Sequence, residues 1–452
     1  MTLIRNLLGT NAAGDAQNVE DVFSTHLYEG TGSSQTITNG IDLDGEGGMV
    51  WIKNRNNSNN LSHSIYDTIR GGSKYLIVNS TANSQTTGGV PLGSEGLQSF
   101  TPTGFTIGPN NNGENVGGDN IVSWTFKKAP RFFDVVTYTG NGTAGREIAH
   151  DLGVAPGMMV VKKTSAADAW EIYHRGLDPT NPGDWYIRFN TSAAANHAGR
   201  WNDTEPTSSV FTLGNDSGVN ANGSEYIAYV FAHDPVGEND DGMIACGSFD
   251  FSAGTKVTLG WEPQYILFKS ASAGSADMDW FVTDTMRGMT TAGVNDNILK
   301  PNLNIVETSP GDYLSPNSTG FECTSNMGAG NTFIYMAIRA PMMKEPTSGT
   351  EVFAIDTGTA AEPTFTSGFP VDTVIRKDKS TSSESPEISS RLTGTKEMFT
   401  GTAAAETTDA ANVFDHMDGC NAGYWSADHL GYMFKRAKGF FDVVGYTGNG
   451  TA

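Results

Sequence analysis

Phe132-Phe133-Asp134-Val135-Val136-Thr137-Tyr138-Thr139-Gly140-Asn141-Gly142-Thr143-Ala144 returns with one change at Phe440-Phe441-Asp442-Val443-Val444-Gly445-Tyr446-Thr447-Gly448-Asn449-Gly450-Thr451-Ala452. The offset of 308 residues divides into three periods of about 103, which makes self-similarity the first thing to trace along the chain. Four landmarks recur in one order. The first is an apolar strand ending in a basic residue, at Met49–Lys53, Met159–Lys162, Ile266–Lys269 and Thr373–Arg376. The second runs into an arginine, at Ile65–Gly71, Trp170–Gly176, Trp280–Gly288 and, degenerately, Ser389–Arg391. The third is Gly104-Phe105-Thr106-Ile107-Gly108, matched at Val210–Gly214, Gly320–Cys323 and weakly at Val413–His416. The fourth closes each unit with aromatic alternation, at Trp124–Phe126, Tyr229–Phe231, Met336–Ile338 and Tyr432–Phe434.

Short apolar or alternating runs separated by Asn/Gly/Asp/Ser clusters, such as Asn110-Asn111-Asn112-Gly113, read as strands and turns. The sequence therefore predicts an all-β chain of tandem antiparallel β-sandwich repeats, jelly-roll or lectin-like, of about 105 residues each. Residues 1–23 form an N-terminal docking segment. The repeats span 24–130, 131–236, 243–341 and 349–438, and 439–452 is the first strand of a truncated fifth, so that the natural protein is expected to be longer. Helix is expected only over 15–23 and in the Ala-rich 404–414. Short proline-bearing links predict neighbouring units that pack into a semi-rigid rod.

Composition narrows the function. The 452 residues carry 28 Lys and Arg against 50 Asp and Glu, a net charge of −22, with 37% hydrophobic residues and 54 glycines. That is too apolar for disorder, and no span of about 18 apolar residues suggests membrane insertion. An acidic surface without a basic cluster argues against nucleic acid. Cys246, Cys323 and Cys420 are few, distant and odd in number, and read as buried thiols rather than a metal pair or disulfide framework.

No catalytic constellation emerges, and no enzyme is expected. Gly140–Gly145 matches GxGxxG, but no helix pattern follows, so it reads as an Asn-Gly hairpin. Asp42–Gly47 begins like a calcium loop yet has Lys53 where a bidentate Glu is required, and reads as a turn. Gly237–Gly242 is the other acidic turn where calcium is conceivable; no other cofactor or metal is expected. Arg70, Arg175, Arg287 and Arg391 recur, and guanidinium groups bind carboxylates bidentately, but a residue repeated in every copy more often maintains the fold. Arg70, Arg175 and Arg287 stand as candidate ligand contacts, together with Trp170, Trp185, Trp201 and Trp280, whose rings could stack on a sugar face.

The strings Ile65–Gly71, Lys74–Thr81, Gly104–Gly108, Trp124–Lys127, Tyr138–Gly145 and His150–Pro156 resemble the tandem-repeat tail-fibre and tail-associated proteins of marine bacteriophages. The resemblance is dense over 48–235 and thinner over 244–437. It implies a virion component with lectin-like, concanavalin-type sandwiches and no catalytic activity. The implied function is a tail fibre or tail-associated adhesin that mediates or supports host attachment. Its partners would be other phage tail proteins, a host-surface glycan or protein receptor, and further copies of itself, as a trimer by analogy. The alternatives are a non-receptor baseplate or tail-tip component, a bacterial surface adhesin or a glycan-cleaving enzyme.

Overall fold

The computed structural model describes residues 18–446 apart from 89–93, 111, 238–240, 273–278, 292, 326, 342–344, 382–383 and 424–426. Antiparallel sheets build four sandwiches, as the sequence predicts. In the first, Phe23–Glu29 pairs with the closing strand Asn120–Lys127, followed across the sheet by Gly48–Asn54, Ser64–Asp67, Lys74–Ile77 and Gln85–Thr86. A smaller sheet of Gln35–Thr38, Gly104–Ile107 and Leu97–Thr101 covers one face. The same strand order recurs around the closing strands Glu225–Ala232 and His429–Phe434; around Gly328–Arg339 the large sheet keeps the first four strands, and Asp296–Ile298 with Thr308–Gly311 forms a separate pair.

The strands Gly48–Asn54, Pro156–Lys163 and Pro263–Ser270 are buried along their whole length, which explains their unbroken apolar character. One face of each large sheet meets its own small sheet. The opposite faces of the first three meet one another in a single core, which holds Val122, Trp124 and Phe126 with Ile227, Tyr229 and Phe231 and with Ile334, Met336 and Ile338.

Strand register makes positions in different repeats comparable. Met49, Met158 and Tyr265 lie opposite Phe126, Phe231 and Ile338, so Lys53, Lys162 and Lys269 are equivalent. Two residues beyond each lysine, the carbonyls of Arg55, Thr164 and Ala271 accept from the backbone N–H of Glu307 (2.8 Å), Ser84 (3.1 Å) and Ala195 (3.0 Å). The first repeat thus accepts from the third, the second from the first and the third from the second. The donors are equivalent too, each seven residues past Lys300, Ile77 and Arg188. Those same three residues meet a ring from the next repeat: Trp170 Nε1 donates to Ile77 O (3.1 Å), Trp280 Nε1 donates to Arg188 O (2.8 Å), and His63 faces the Lys300 backbone. Three equivalent joints running one way round close a ring about a pseudo-threefold axis.

The first three units therefore form a closed ring and not a stretch of rod, because the free faces of their large sheets are apolar and only mutual burial removes them from water. Other expectations also change. The helix foreseen over 15–23 is a single 3-10 turn, Val19–Asp21, leading into the first strand; 15–17 fall outside the described residues. Val19 and Val22 belong to the core of the first repeat, which starts earlier than residue 24, and residues 1–17 of the 1–23 segment fall outside the described residues. Residues 404–414 form no helix and contribute the short strand Thr407–Thr408 and a bridge from Val413 to Asn421. Gly140–Gly145 joins Phe133–Thr139 to Arg146–Ala149, which lie in different sheets, so it is a crossing turn and no hairpin. Of residues 439–452, read as a strand, 439–446 carry only an isolated bridge between Ala437 and Phe441, and 447–452 fall outside the described residues. In the fourth repeat the structural equivalent of Lys53 is Lys377, opposite Leu430, one residue beyond the Arg376 that the sequence pattern suggests.

Candidate functional site

The polar groups that recur through the repeats converge on the joints of the ring. Asp67, His174 and Asp284 occupy one position, opposite Met49, Met158 and Tyr265. Each reaches the closing strand of a neighbour. Asp67 accepts from the Tyr229 hydroxyl (2.8 Å), Asp284 accepts from Trp124 Nε1 (3.0 Å), and His174 Nε2 lies 3.0 Å from Tyr335 O.

Arg70 and Arg287 sit three residues after their aspartates. Arg70 Nε donates to Asp67 (2.6 Å), and its Nη2 donates to the Tyr229 hydroxyl (3.1 Å). Arg287, fully buried, donates to Asp284 (2.7 Å) and to Glu307 (2.6 Å), with its guanidinium 5.2 Å from the Trp124 ring centre. Glu307 also accepts from Arg55 Nε (3.0 Å), whose Nη2 reaches Asp415 of the fourth repeat (3.2 Å). Burial works against both charges, but the opposite partners outweigh it: the Arg287 pKa is raised and Glu307 is held below the usual carboxylate range. These two arginines are tied into the ring and offer no free guanidinium to a ligand.

Arg175 and Arg391 belong to a different position. Their backbone N–H groups donate to Gly157 O and Asp372 O, as Thr68 and Thr285 do to Gly48 O and Gln264 O, so the arginines fall into two structural classes. Arg391 is buried and donates to Phe414 O and Val371 O, whereas Arg175 is exposed.

Of the tryptophans, Trp170, Trp201 and Trp280 are buried in the core. Trp185 is half-buried, edge-on to the His197 ring at 5.6 Å, on the outer strands of the second repeat. Nearby, Arg200 stacks over the Tyr186 ring at 3.4 Å and, with Arg188, binds Glu171. Arg175 and Trp185 are thus the candidates that remain within reach of a ligand.

Sequence reasoning missed the lysines that the ring buries. Lys53 donates to Asn304 O of the third repeat (3.4 Å) and Lys162 to Thr81 O of the first (3.2 Å); burial pulls both down to about 8. Their signal was the strand-ending lysine itself, since burying an ammonium requires acceptors from somewhere.

Asp42 Oδ1 accepts from the N–H groups of Asp44 and Gly45 (both 3.1 Å), the turn that the sequence suggested. The Gly237–Gly242 turn includes 238–240, outside the described residues. Among the described residues one group offers metal-type ligands close together: Asp378, Glu384 and His429, within 4.8 Å of one another at the edge of the fourth repeat. Asp378 is already engaged by Ser380 and Thr381, and His429 lies 3.8 Å from Glu384.

The three cysteines are buried and unpaired. Burial pushes Cys246 far up and Cys323 and Cys420 up to about 12. Because the thiolate is the reactive form, a charged thiol reagent is expected to modify none of them in the native protein and all three after denaturation. Native-state labelling of any one would show that its sandwich opens.

Fold and joints together define an all-β protein whose first three sandwiches close into a ring. The chain belongs to the family described as a Domain of unknown function (DUF7483), which matches residues 18–341. The match begins at the 3-10 turn of the first repeat and ends just past the third closing strand, so the family's unit coincides with the ring. No curated protein matches the chain in sequence.

Proposed function

We propose that the protein is a non-catalytic structural component of a bacteriophage virion, carried in the tail, where its sandwiches contact other tail proteins and support attachment to the host. The observation that carries this reading is the use made of the recurring polar residues. Asp67, Arg70, Asp284, Glu307 and the buried Lys53 and Lys162 each bond to another repeat, and Arg287 ties Asp284 to Glu307 beside them, a rigidity that suits a part under mechanical force. The tail-protein resemblance of Ile65–Gly71 and Tyr138–Gly145 supplies the setting. A receptor glycan or protein would meet Trp185, on an outer strand of the second repeat, or Arg175, in the turn that follows Trp170–His174, both of which remain accessible.

A second reading, a baseplate or tail-tip part that contacts only other subunits, is favoured by the ring, since three repeats folded on one another make a squat body with little reach. Separate labels on the N-terminus and on the fourth repeat, imaged on purified particles, test both. Two labels separated along an axis leaving the tail support the attachment role. Two labels flush with the particle support the subunit-contact role, and unlabelled particles overturn the virion assignment.

A further inference from the structure

The fourth sandwich has the six-stranded large sheet of the first two, but among the described residues no second large sheet packs on its other face, where Phe434 meets Phe440 and Phe441. Ile355 lies opposite Tyr432, as Val135 lies opposite Tyr229, and Met398 lies opposite Ile388, as Leu76 lies opposite Ile65. In the ring Val135 is 2% exposed and Leu76 0%; in the fourth repeat Ile355 is 54% exposed and Met398 50%. Ile375, Tyr432 and Phe434, equivalent to Trp51, Trp124 and Phe126, are half-buried and line an open groove of about 630 Å³. An apolar face of this kind marks an interaction surface, and the ring shows what covers it: two more sheets of the same kind.

The charges at its rim say which sheets. At the joint between the first and third repeats, Arg55 pairs with Glu307 (2.7 Å). The position of Arg55, two beyond the strand lysine, is Thr164 in the second repeat, Ala271 in the third and Lys379 in the fourth. The position of Glu307 is Ser84 in the first repeat, Ala195 in the second and Glu406 in the fourth, since Glu387 lies opposite Phe399 as Ser64 lies opposite Ile77. Only the fourth repeat carries both the base and the acid; both are exposed, with Lys379 Nζ donating to Ala427 O (2.9 Å) and Glu406 lying 3.4 Å from Lys396, contacts that a partner copy would exchange or share. A sheet bearing the two halves of one joint is complementary to copies of itself, and a joint that closes after three steps within the chain closes after three between chains.

We infer that the fourth repeats of three copies of this chain join into a second ring, with their apolar faces inward and Lys379 of each copy paired with Glu406 of the next. The inference is independent of the virion reading. The 452-residue chain is expected to sediment at three times its 48.1 kDa at micromolar concentration. Ile355→Lys and, separately, Met398→Glu are expected to return it to monomer while leaving its far-UV circular dichroism unchanged, because both side chains are half exposed within the chain. Lys379→Glu should weaken the trimer, and adding Glu406→Lys should restore it. A wild-type chain that stays monomeric into the high-micromolar range, or that forms dimers, overturns the inference. So does a trimer that survives both Ile355→Lys and Met398→Glu.

Discussion

Arg287→Ala is expected to cost about 3–5 kcal/mol of stability, the range found when one partner of a buried ion pair is removed. The guanidinium lies with no exposed side-chain surface between Asp284 and Glu307, and its Nη2 also donates to Val282 O (3.0 Å). Removing it leaves Asp284 with the Trp124 indole and Glu307 with Arg55, two carboxylates in the core with one cation between them. The joint between the third and first repeats holds this group, so the loss falls on ring closure as a whole. Urea denaturation followed by tryptophan fluorescence reads it directly, since Trp124 touches the network. Arg175→Ala, at an exposed position, is expected to stay within about 0.5 kcal/mol of wild type. An Arg287→Ala protein equally stable would mean that the network is solvated and the joint open.

Acid is expected to be the second strong perturbant, and it acts through buried neutral histidines. His174 Nδ1 accepts from Gly176 N–H (3.0 Å), leaving its Nε2–H for Tyr335 O, and His63 Nδ1 accepts from Trp51 Nε1 (3.1 Å). A second proton would put a donor against a donor in each case. Burial accordingly lowers the pKa of His63 far below its ordinary value and that of His174 to about 3, and lowers His26 and His233 to about 4. With native pKa values below the unfolded value of 6.5, the unfolded chain binds more protons once the pH drops under 6.5. This contribution to stability is whole above pH 6.5 and is lost progressively down to the native pKa values. Each fully buried histidine removes about 1.4 kcal/mol per pH unit, so His63 and His174 together remove about 4 kcal/mol by pH 5. Asp296 works in the opposite direction. Burial pushes it up to about 7, so its protonated form favours the native state as the pH falls, offsetting about one histidine. Midpoints of urea unfolding should therefore decline from pH 6.5 to 5, less steeply in His174→Gln and more steeply in Asp296→Asn. A flat profile in the wild type would show that these rings are hydrated.

The repeats were legible because their landmarks are apolar strands, and a strand buried on both faces must be apolar wherever it occurs. In the closing strands Trp124 and Tyr229 are buried for that reason, while Tyr432 at the same position of the fourth repeat is only half-buried. The ring was not legible, because its joints conserve geometry and vary the residue. One position is His63, Trp170 and Trp280; another is Asp67, His174 and Asp284. Each set becomes a set only once strand register aligns it. The arginines misled in the opposite way: Arg175 shares a letter with Arg70 but sits at the position of Thr68. Three of the four candidate tryptophans proved to be core, since an indole near a loop in sequence can still point into the space between sheets.

The ring also sets the order in which the chain can reach its native form on the ribosome. The first sandwich has its closing strand once Lys127 has been made, but the partners of Trp124 and Arg55 lie at Asp284 and Glu307, more than 150 and 250 residues later. At about 5–20 residues per second, the apolar face of the first large sheet waits on the order of 10–40 s for the strand ending at Arg339. During that interval nascent chains on one messenger each display the same uncovered, strand-rich surface. Capture by chaperones, slow synthesis and low temperature should accordingly govern the yield of soluble protein more strongly than the stability of the finished ring does.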